Sequence, residues 1–350
     1  MARVAAIIFH PPAAPGAGPL TTILSEVRRR NAERHRAGFA GLGADAEIVD
    51  ELGSAGSFGA ALRERVTVST WDGVVVLGSG SLPLARQPDR ASFVAAAAGP
   101  AGTALANNRY SADAIAVAGT APLERLPDLA SDNGLPRLLE RAGVTVGDLR
   151  DRWRLQVDLD SPLDAILTDA RGTLDTLARR DLDVPALRAG LAGVQATARD
   201  ASRELLVAGR ASARGLAWLE TRTASRTRAL VEERGFGTRP PEQRPVRSSL
   251  GLLLDRDGPE SLGPRLTELA DAALVDSRVL LAHRFGADER SWPSAEDRFA
   301  SDLLLPDRIT DSWLRALTVS VREAPIPVLL GGHTLVGPGL RLVLGSRPWT

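Results

Sequence analysis

Apolar residues along this chain fall into two rhythms. Short unbroken runs at Val4 to Phe9 and Gly73 to Leu77 predict buried strands, and the second, apolar throughout, predicts a central strand covered on both faces. Glu47–Val49, Thr103–Ala106, Ala114–Ala118 and Leu155–Val157 are shorter strand candidates. Between them, apolar positions three and four apart predict helices. One is capped by Thr21 or Thr22 and carries Ile23, Leu24, Val27, Phe39 and Leu42; others cover Ser57–Arg65, Phe93–Ala98 and Leu135–Arg141. Thr145–Asp148 reads as a capping box that opens a further short helix. Strands alternating with helices predict an α/β layer fold with a largely parallel sheet, ending near residue 180.

The rhythm then changes. From Pro185 to Arg234 no strand is predicted. Leu205, Leu206, Gly209, Ala213, Leu216, Leu219, Thr223, Thr227 and Leu230 recur at helical steps, predicting one long amphipathic helix stopped by Gly235 and Pro240-Pro241. Helices are expected over 249–254, 263–273, 297–304 and 311–321, and strands over 278–282, 327–330 and 341–344. The organisation expected is an α/β domain over 1–180 and a mainly helical region with a few strands over 181–350, with a linker at 236–247.

Composition narrows the chemistry. The 43 basic residues are all arginine and balance 43 acidic ones, which argues against a uniformly basic nucleic-acid binder. Without lysine there is no Walker-A phosphate loop, kinase lysine or pyridoxal-phosphate Schiff base. Without cysteine there are no disulfides, thiolate nucleophiles or cysteine metal sites. No apolar run reaches the roughly 18–20 residues that span a bilayer, and the N-terminal run is too short for a signal peptide, so a cytoplasmic protein without membrane contact is expected.

Several stretches carry candidate chemistry. Val157-Asp-Leu-Asp-Ser-Pro-Leu-Asp164 ends a predicted strand in two carboxylates one residue apart; Asp158 and Asp160 suit Mg²⁺ or Mn²⁺ at a sheet's carboxyl edge. The same residues read equally as support for a Ser161 cap with Pro162 in the first turn. Gly78-Ser79-Gly80-Ser81 empties a buried strand into a small-residue loop whose backbone N–H groups can approach a ligand, or simply make a strand-to-helix turn. Asn107-Asn108-Arg109-Tyr110 offers two amides for base or sugar edges and a guanidinium for phosphate, or an Asx turn. Ser131–Arg137 reads as helix capping. The arginine series Arg199, Arg203, Arg210, Arg214, Arg222, Arg226, Arg228 and Arg234 offers phosphate, an acidic partner or RNA a surface, or forms an ion-paired helix face. His283 and His333, with Asp276 or Asp288, are a metal or acid–base candidate, and Gly331-Gly332-His333 is the most site-like C-terminal stretch. A Ser–His–Asp hydrolase lacks its Gly-x-Ser-x-Gly elbow.

The N-terminal strand and loop, Val74-Val-Val-Leu-Gly-Ser-Gly-Ser-Leu-Pro-Leu84, Gly102-Thr-Ala-Leu105 and Val157–Asp164, in that order, resemble the MobA-like NTP-transferase superfamily, nearest its phospholactate guanylyltransferase branch, over residues 1–180. The resemblance implies a three-layer glycosyltransferase-A-like (nucleotide-diphospho-sugar transferase-like) α/β fold with a mostly parallel sheet. It implies transfer of a nucleotidyl group from a nucleoside triphosphate to a small phosphorylated acceptor. Asp158 and Asp160 would hold Mg²⁺ or Mn²⁺, Gly78, Ser79, Gly80, Ser81, Asn107 and Asn108 the nucleotide, and Arg109 the phosphate charge, with Asp158 and Arg109 as the catalytic pair. The chain departs from the family where an Arg and a Lys are expected: His10–Pro19 carries neither, and Ser81 stands at the metal Asp. Two other readings follow: a degenerate fold acting as a nucleotide-binding or protein-interaction scaffold through its C-terminal helices, and a glycosyltransferase using UDP- or GDP-sugars.

Overall fold

The runs read as buried strands are strands because neither of their faces meets water. In the computed structural model, which describes residues 2–50, 56–129, 132–235 and 244–345, Contacts divide the chain into two compact units: 1–15 with 25–159, and 16–24 with 160–350.

The N-terminal unit is built on a six-stranded sheet. Its strands are β1 (Val4–Phe9), β2 (Asp45–Val49), β3 (Gly73–Gly78), β4 (Thr103–Ala106), β5 (Ala114–Ala118) and β6 (Thr145–Asp148), in the order β2-β1-β3-β5-β4-β6. β1 runs parallel to β2 and β3, and β4 parallel to β6; β5 alone is antiparallel to its neighbours β3 and β4. Alternate residues feed two cores. Ile7, Val74, Val76, Ile115 and Val117 pack on one face with Leu62 and Leu123, while Ala6, Ile8, Val75 and Leu77 pack on the other with Phe39 and Phe93. This two-sided burial is what an all-apolar β3 requires. The helices are α1 (Pro19–Ala40), whose first residues count with the other unit, α2 (Phe58–Thr67), α3 (Gln87–Ala97) and α4 (Leu135–Arg141).

The C-terminal unit starts with α5 (Pro162–Thr168), α6 (Ala170–Ala178) and α7 (Pro185–Ala198), then β7 (Glu204–Gly209), α8 (Ala213–Arg222) and β8 (Arg226–Val231). After these come α9 (Ser249–Asp257), α10 (Leu262–Leu269), β9 (Ala272–Asp276), α11 (Ser277–Phe285), α12 (Ala295–Asp302), α13 (Ser312–Arg322), β10 (Val328–Gly331), α14 (His333–Val336) and α15 (Leu340–Val343). Its four strands form a second sheet, β10-β9-β7-β8, parallel at every pairing. In order of appearance the strands stand 2-1-3-4, so the direction of winding reverses between β7 and β9. Glu296 caps the segment that precedes most of this unit by a long stretch of sequence. Its carboxylate accepts the N–H groups of Leu20 and Thr21 at 3.0 Å each and the Thr21 hydroxyl at 2.9 Å, at the positive end of α1.

The predicted long helix is therefore replaced by strand, helix and strand. Leu205-Leu-Val-Ala208 is too short a run for periodicity to separate strand from helix, and its complete burial decides for the strand. Four further readings change. Thr145–Asp148 is strand β6, paired with β4; Leu155 lies in a short 3₁₀ turn, Trp153–Gln156; and Arg341–Val343 is helical. The strand expected at 278–282 lies one element earlier, at β9, and 278–282 belongs to α11. Ser131, Pro240-Pro241 and the greater part of the expected 236–247 linker lie outside the described residues. No helix among the described residues is long and apolar enough to cross a membrane.

Candidate functional site

The loop after β3 was the first expected nucleotide contact. Gly78, Ser79, Gly80 and Ser81 leave the sheet beside the end of β1, and the loop is closed on itself. The Ser79 N–H donates to the Phe9 carbonyl at 2.8 Å, that of Ser81 to Gly78 at 3.1 Å, and that of Gly78 to Asp113 at 3.4 Å. Its carbonyls are also taken. Asn31 Nδ2 donates to Ser79 at 2.8 Å and to Ser81 at 2.9 Å, and the Leu159 N–H reaches the Gly80 carbonyl at 3.0 Å. The buried His35 ring contacts the Ser81 carbonyl through Nε2 at 3.0 Å and accepts from Arg90 Nε through Nδ1 at 3.3 Å, which assigns the proton to Nε2. Burial, then the Arg90 charge, pushes this imidazole down to about 3. The Ser79 hydroxyl and His10 Nδ1 meet at 3.0 Å, both side chains buried.

Asn107 is buried and fully used within its own unit. Its Nδ2 donates to Asp113 Oδ2 and to the Leu155 carbonyl, both at 2.9 Å, and its Oδ1 accepts the N–H groups of Asp113 and Ala114 at 3.0 and 3.2 Å. Those bonds fill an amide's usual capacity, so Asn107 ties the β4–β5 connection together. Asn108 Oδ1 accepts from the Tyr110 N–H at 3.1 Å, an Asx turn. Arg109 pairs with Glu140 at 2.5 Å and lies 5.9 Å from the Tyr110 ring centroid.

Asp158 closes the N-terminal unit and Asp160 opens the C-terminal one. Asp158 bridges to Ser81 across two antiparallel backbones, and its Oδ1 accepts the Leu159 N–H at 3.0 Å. A Cβ on Gly80 would stand 3.0 Å from that same oxygen. The Asp160 N–H donates to Asp164 Oδ2 at 3.0 Å, Ser161 Oγ caps α5, and Pro162 occupies its first turn. The capping reading of this stretch is therefore the one its bonds satisfy. Among the described residues no three histidine or carboxylate side chains gather as metal ligands.

A denser polar cluster stands at the carboxyl edge of the second sheet. In open α/β sheets this edge, where winding reverses, is where ligands bind. Here β7 ends in Gly209 and Arg210, and β9 ends in Asp276. Arg210 grips the fully buried Asp276 carboxylate with Nε at 2.6 Å and Nη2 at 3.1 Å. Gly209, at φ +122°, lies so near that a Cβ there would sit 2.3 Å from Asp276 Cβ. Next to Asp276, the Ser277 hydroxyl donates to the Gly331 carbonyl at 3.1 Å, and Arg278 binds Asp302 through two contacts of 2.5 and 2.6 Å. Burial works against both charges and lifts the Asp302 carboxyl, but the two-pronged contact with a permanent cation keeps the pair ionised. Burial, followed by the Asp160 and Asp302 charges, pushes the Asp164 carboxyl up to about 8, and its Oδ1 has no hydrogen-bond partner.

No family model matches this chain. No curated protein matches it either. The assignment of residues to chemistry therefore rests on geometry. Sequence reading singled out Asp276 and Gly331-Gly332-His333 at this edge, but missed Arg210 as the partner of Asp276, Arg278 and Asp302. Arg210 had only its position after a strand that the helical reading had obscured, while Arg278 lies in α11 and Asp302 ends α12, with no local signal that pairs them. His333 opens α14; solvent reaches it, yet the protein crowding it, with Arg210 nearby, pushes its imidazole down to about 4. His283 stands apart in α11. Its Nδ1 accepts the Ser248 N–H at 3.1 Å and its Nε2 meets Asp255 at 2.9 Å, a structural tie between α9 and α11.

Proposed function

We propose that this chain is a divergent NTP-transferase-like protein that no longer carries out metal-dependent nucleotidyl transfer and works as a binding scaffold. One observation carries the reading: the loop Gly78–Ser81 spends its backbone on the protein itself. Three of its N–H groups are bonded to carbonyls, and Asn31, His35 and Leu159 occupy its carbonyls. A phosphate cradle needs free N–H groups converging on one point. Asn107 and Asn108, the other expected nucleotide contacts, and Arg109, expected at the phosphate, are likewise engaged: Asn107 with Asp113 and Leu155, Asn108 with the Tyr110 N–H, and Arg109 with Glu140. The α/β architecture with a mostly parallel first sheet is in keeping with a glycosyltransferase-A-like ancestry.

The test is a thermal-shift titration with GTP, CTP, ATP and UTP, each with and without Mg²⁺ or Mn²⁺. A ligand at about 100 times its Kd adds about 2.7 kcal/mol. The expected result is no metal-dependent shift with any triphosphate and no change on Asp158→Asn. A metal-dependent shift with one nucleotide, abolished by Asp158→Asn, would restore the transferase reading.

A further inference from the structure

His10 and Ser79 meet where two strands of the first sheet end: His10 directly follows β1, and Ser79 directly follows β3. The strand order turns back at β1, which has β2 on one side and β3 on the other, all parallel. In open α/β sheets the carboxyl ends at such a turning point are where ligands bind. The Ser79 hydroxyl has one partner among the described residues, His10 Nδ1 at 3.0 Å. A buried hydroxyl that only accepted would leave its own proton unsatisfied, so Ser79 donates and the ring proton sits on Nε2. Burial holds the His10 imidazole below its usual value, against the Asp50 charge, and the ring is a neutral acceptor at pH 7.

An ordinary explanation is a tie between the ends of β1 and β3. Backbone bonds already make that tie. The Ser79 N–H donates to the Phe9 carbonyl and the His10 N–H to that of Val49, both at 2.8 Å, and Asn31 holds the Ser79 carbonyl. The side-chain contact adds nothing the sheet edge needs, while these bonds fix the backbone that carries the hydroxyl, as a positioned reactive group requires. Gly80 supplies a donor. Its N–H, alone in Gly78–Ser81, makes no hydrogen bond among the described residues. The N–H that follows a nucleophilic serine is a recurrent oxyanion donor.

We propose that Ser79 and His10 form a nucleophile–base dyad that hydrolyses small neutral carboxylic esters without a metal. Ser79 Oγ attacks the carbonyl carbon as its proton passes to His10 Nδ1, and the Gly80 N–H stabilises the oxyanion. The bond from that carbon to the alcohol oxygen breaks, and His10 gives the proton to the departing alcohol. Water then attacks the acyl-serine, its proton returns through His10 to Ser79 Oγ, and a carboxylic acid leaves. A neutral ester suits the surroundings better than a phosphate: Asp158 Oδ1 and Arg28 Nε lie together beside Gly80, 3.0 and 3.1 Å from where a Cβ would stand, so a dianion there meets a carboxylate. Neither metal nor triphosphate enters this chemistry, and its test is separate from the nucleotide titration.

The experiment treats the full chain, in the presence of EDTA, with phenylmethylsulfonyl fluoride and with p-nitrophenyl acetate, both small because Ser79 and His10 are buried. Mass spectrometry of the digested chain should place the sulfonyl group on Ser79, and the ester should release p-nitrophenol. Ser79→Ala should abolish both reactions, and His10→Gln should slow both by about 100-fold or more, as for a lost general base. Ser202→Ala, which removes an exposed hydroxyl bonded to Asp200, should change neither. The unsubstituted chain in urea should lose the label, since an unfolded serine has no base beside it; this arm needs no variant to fold. An absent label on Ser79, labelling undiminished in urea or in His10→Gln, or hydrolysis that survives Ser79→Ala would each overturn the dyad.

Discussion

Replacing Asp302 by Asn leaves almost the same shape but removes one charge from a buried pair. Asp302 is fully buried, and Arg278 is nearly so. The two contacts at 2.5 and 2.6 Å are joined by one from Arg278 to Ser277 Oγ at 2.9 Å, so the guanidinium is held from three sides at the sheet edge. Removing one member of a buried ion pair typically costs about 3–5 kcal/mol, because the remaining charge is left uncompensated. The C-terminal unit holds about 200 residues, a size at which 1 kcal/mol moves Tm by roughly 2–4 °C. Asp302→Asn should therefore lower that unit's transition by about 6–20 °C in differential scanning calorimetry at pH 7. The double variant Arg278→Met with Asp302→Leu should recover most of the loss, since a buried pair replaced by apolar groups of similar volume is often neutral. Salt should change the difference little, because buried charges are poorly screened. A drop below about 2 °C, or no recovery in the double variant, would refute the reasoning.

Three further outcomes follow from the same structure. Asp164 has a folded-state pKa of about 8, far above its unfolded value, so its contribution to stability is complete below the unfolded pKa and is lost as pH rises through about 8; urea denaturation at pH 5 and pH 9 should show Asp164→Asn gaining on the unsubstituted chain at the higher pH. His35, depressed to about 3, behaves oppositely: stability is present above its unfolded pKa near 6.5 and is lost as pH falls toward 3, so His35→Gln should flatten the acid limb of the N-terminal unit's stability curve between pH 7 and 4. Gly209→Ala places a Cβ 2.3 Å from Asp276 at φ +122°, and should cost about 2 kcal/mol or more in chemical denaturation; an unchanged midpoint would mean that β7 and β9 can part without penalty.

The N-terminal sheet was legible because its central strands announce themselves. Val4–Phe9 and Gly73–Leu77 are apolar at every position, and burial on both faces has no other economical solution. The second sheet was obscured by accidental periodicity. Leu205, Leu216, Leu219 and Leu230 keep helical spacing although they belong to three different elements. β8 gave no help: as an edge strand it exposes Arg226, Arg228 and Ala229, so its pattern is not that of a buried run. The paired arginines were illegible for another reason. Arg210 and Asp276 are 66 residues apart, and nothing local to either predicts the other. The Ser161-Pro162-Leu163-Asp164 element shows the converse. Its bonds are local, and its capping geometry was readable from four consecutive letters.

The Glu296 cap has a consequence for how the chain is made. Thr21 waits for a partner 275 residues downstream. At roughly 5–20 residues per second of synthesis, that delay is about 14–55 seconds. During it, the first turn of α1 has its N–H groups open to water or to a chaperone, and 16–24 cannot complete its own unit until residue 296 has emerged. Residue 296 thus controls when this helix is finished, and a truncated product ending before it carries an uncapped segment at 16–24 as its mark.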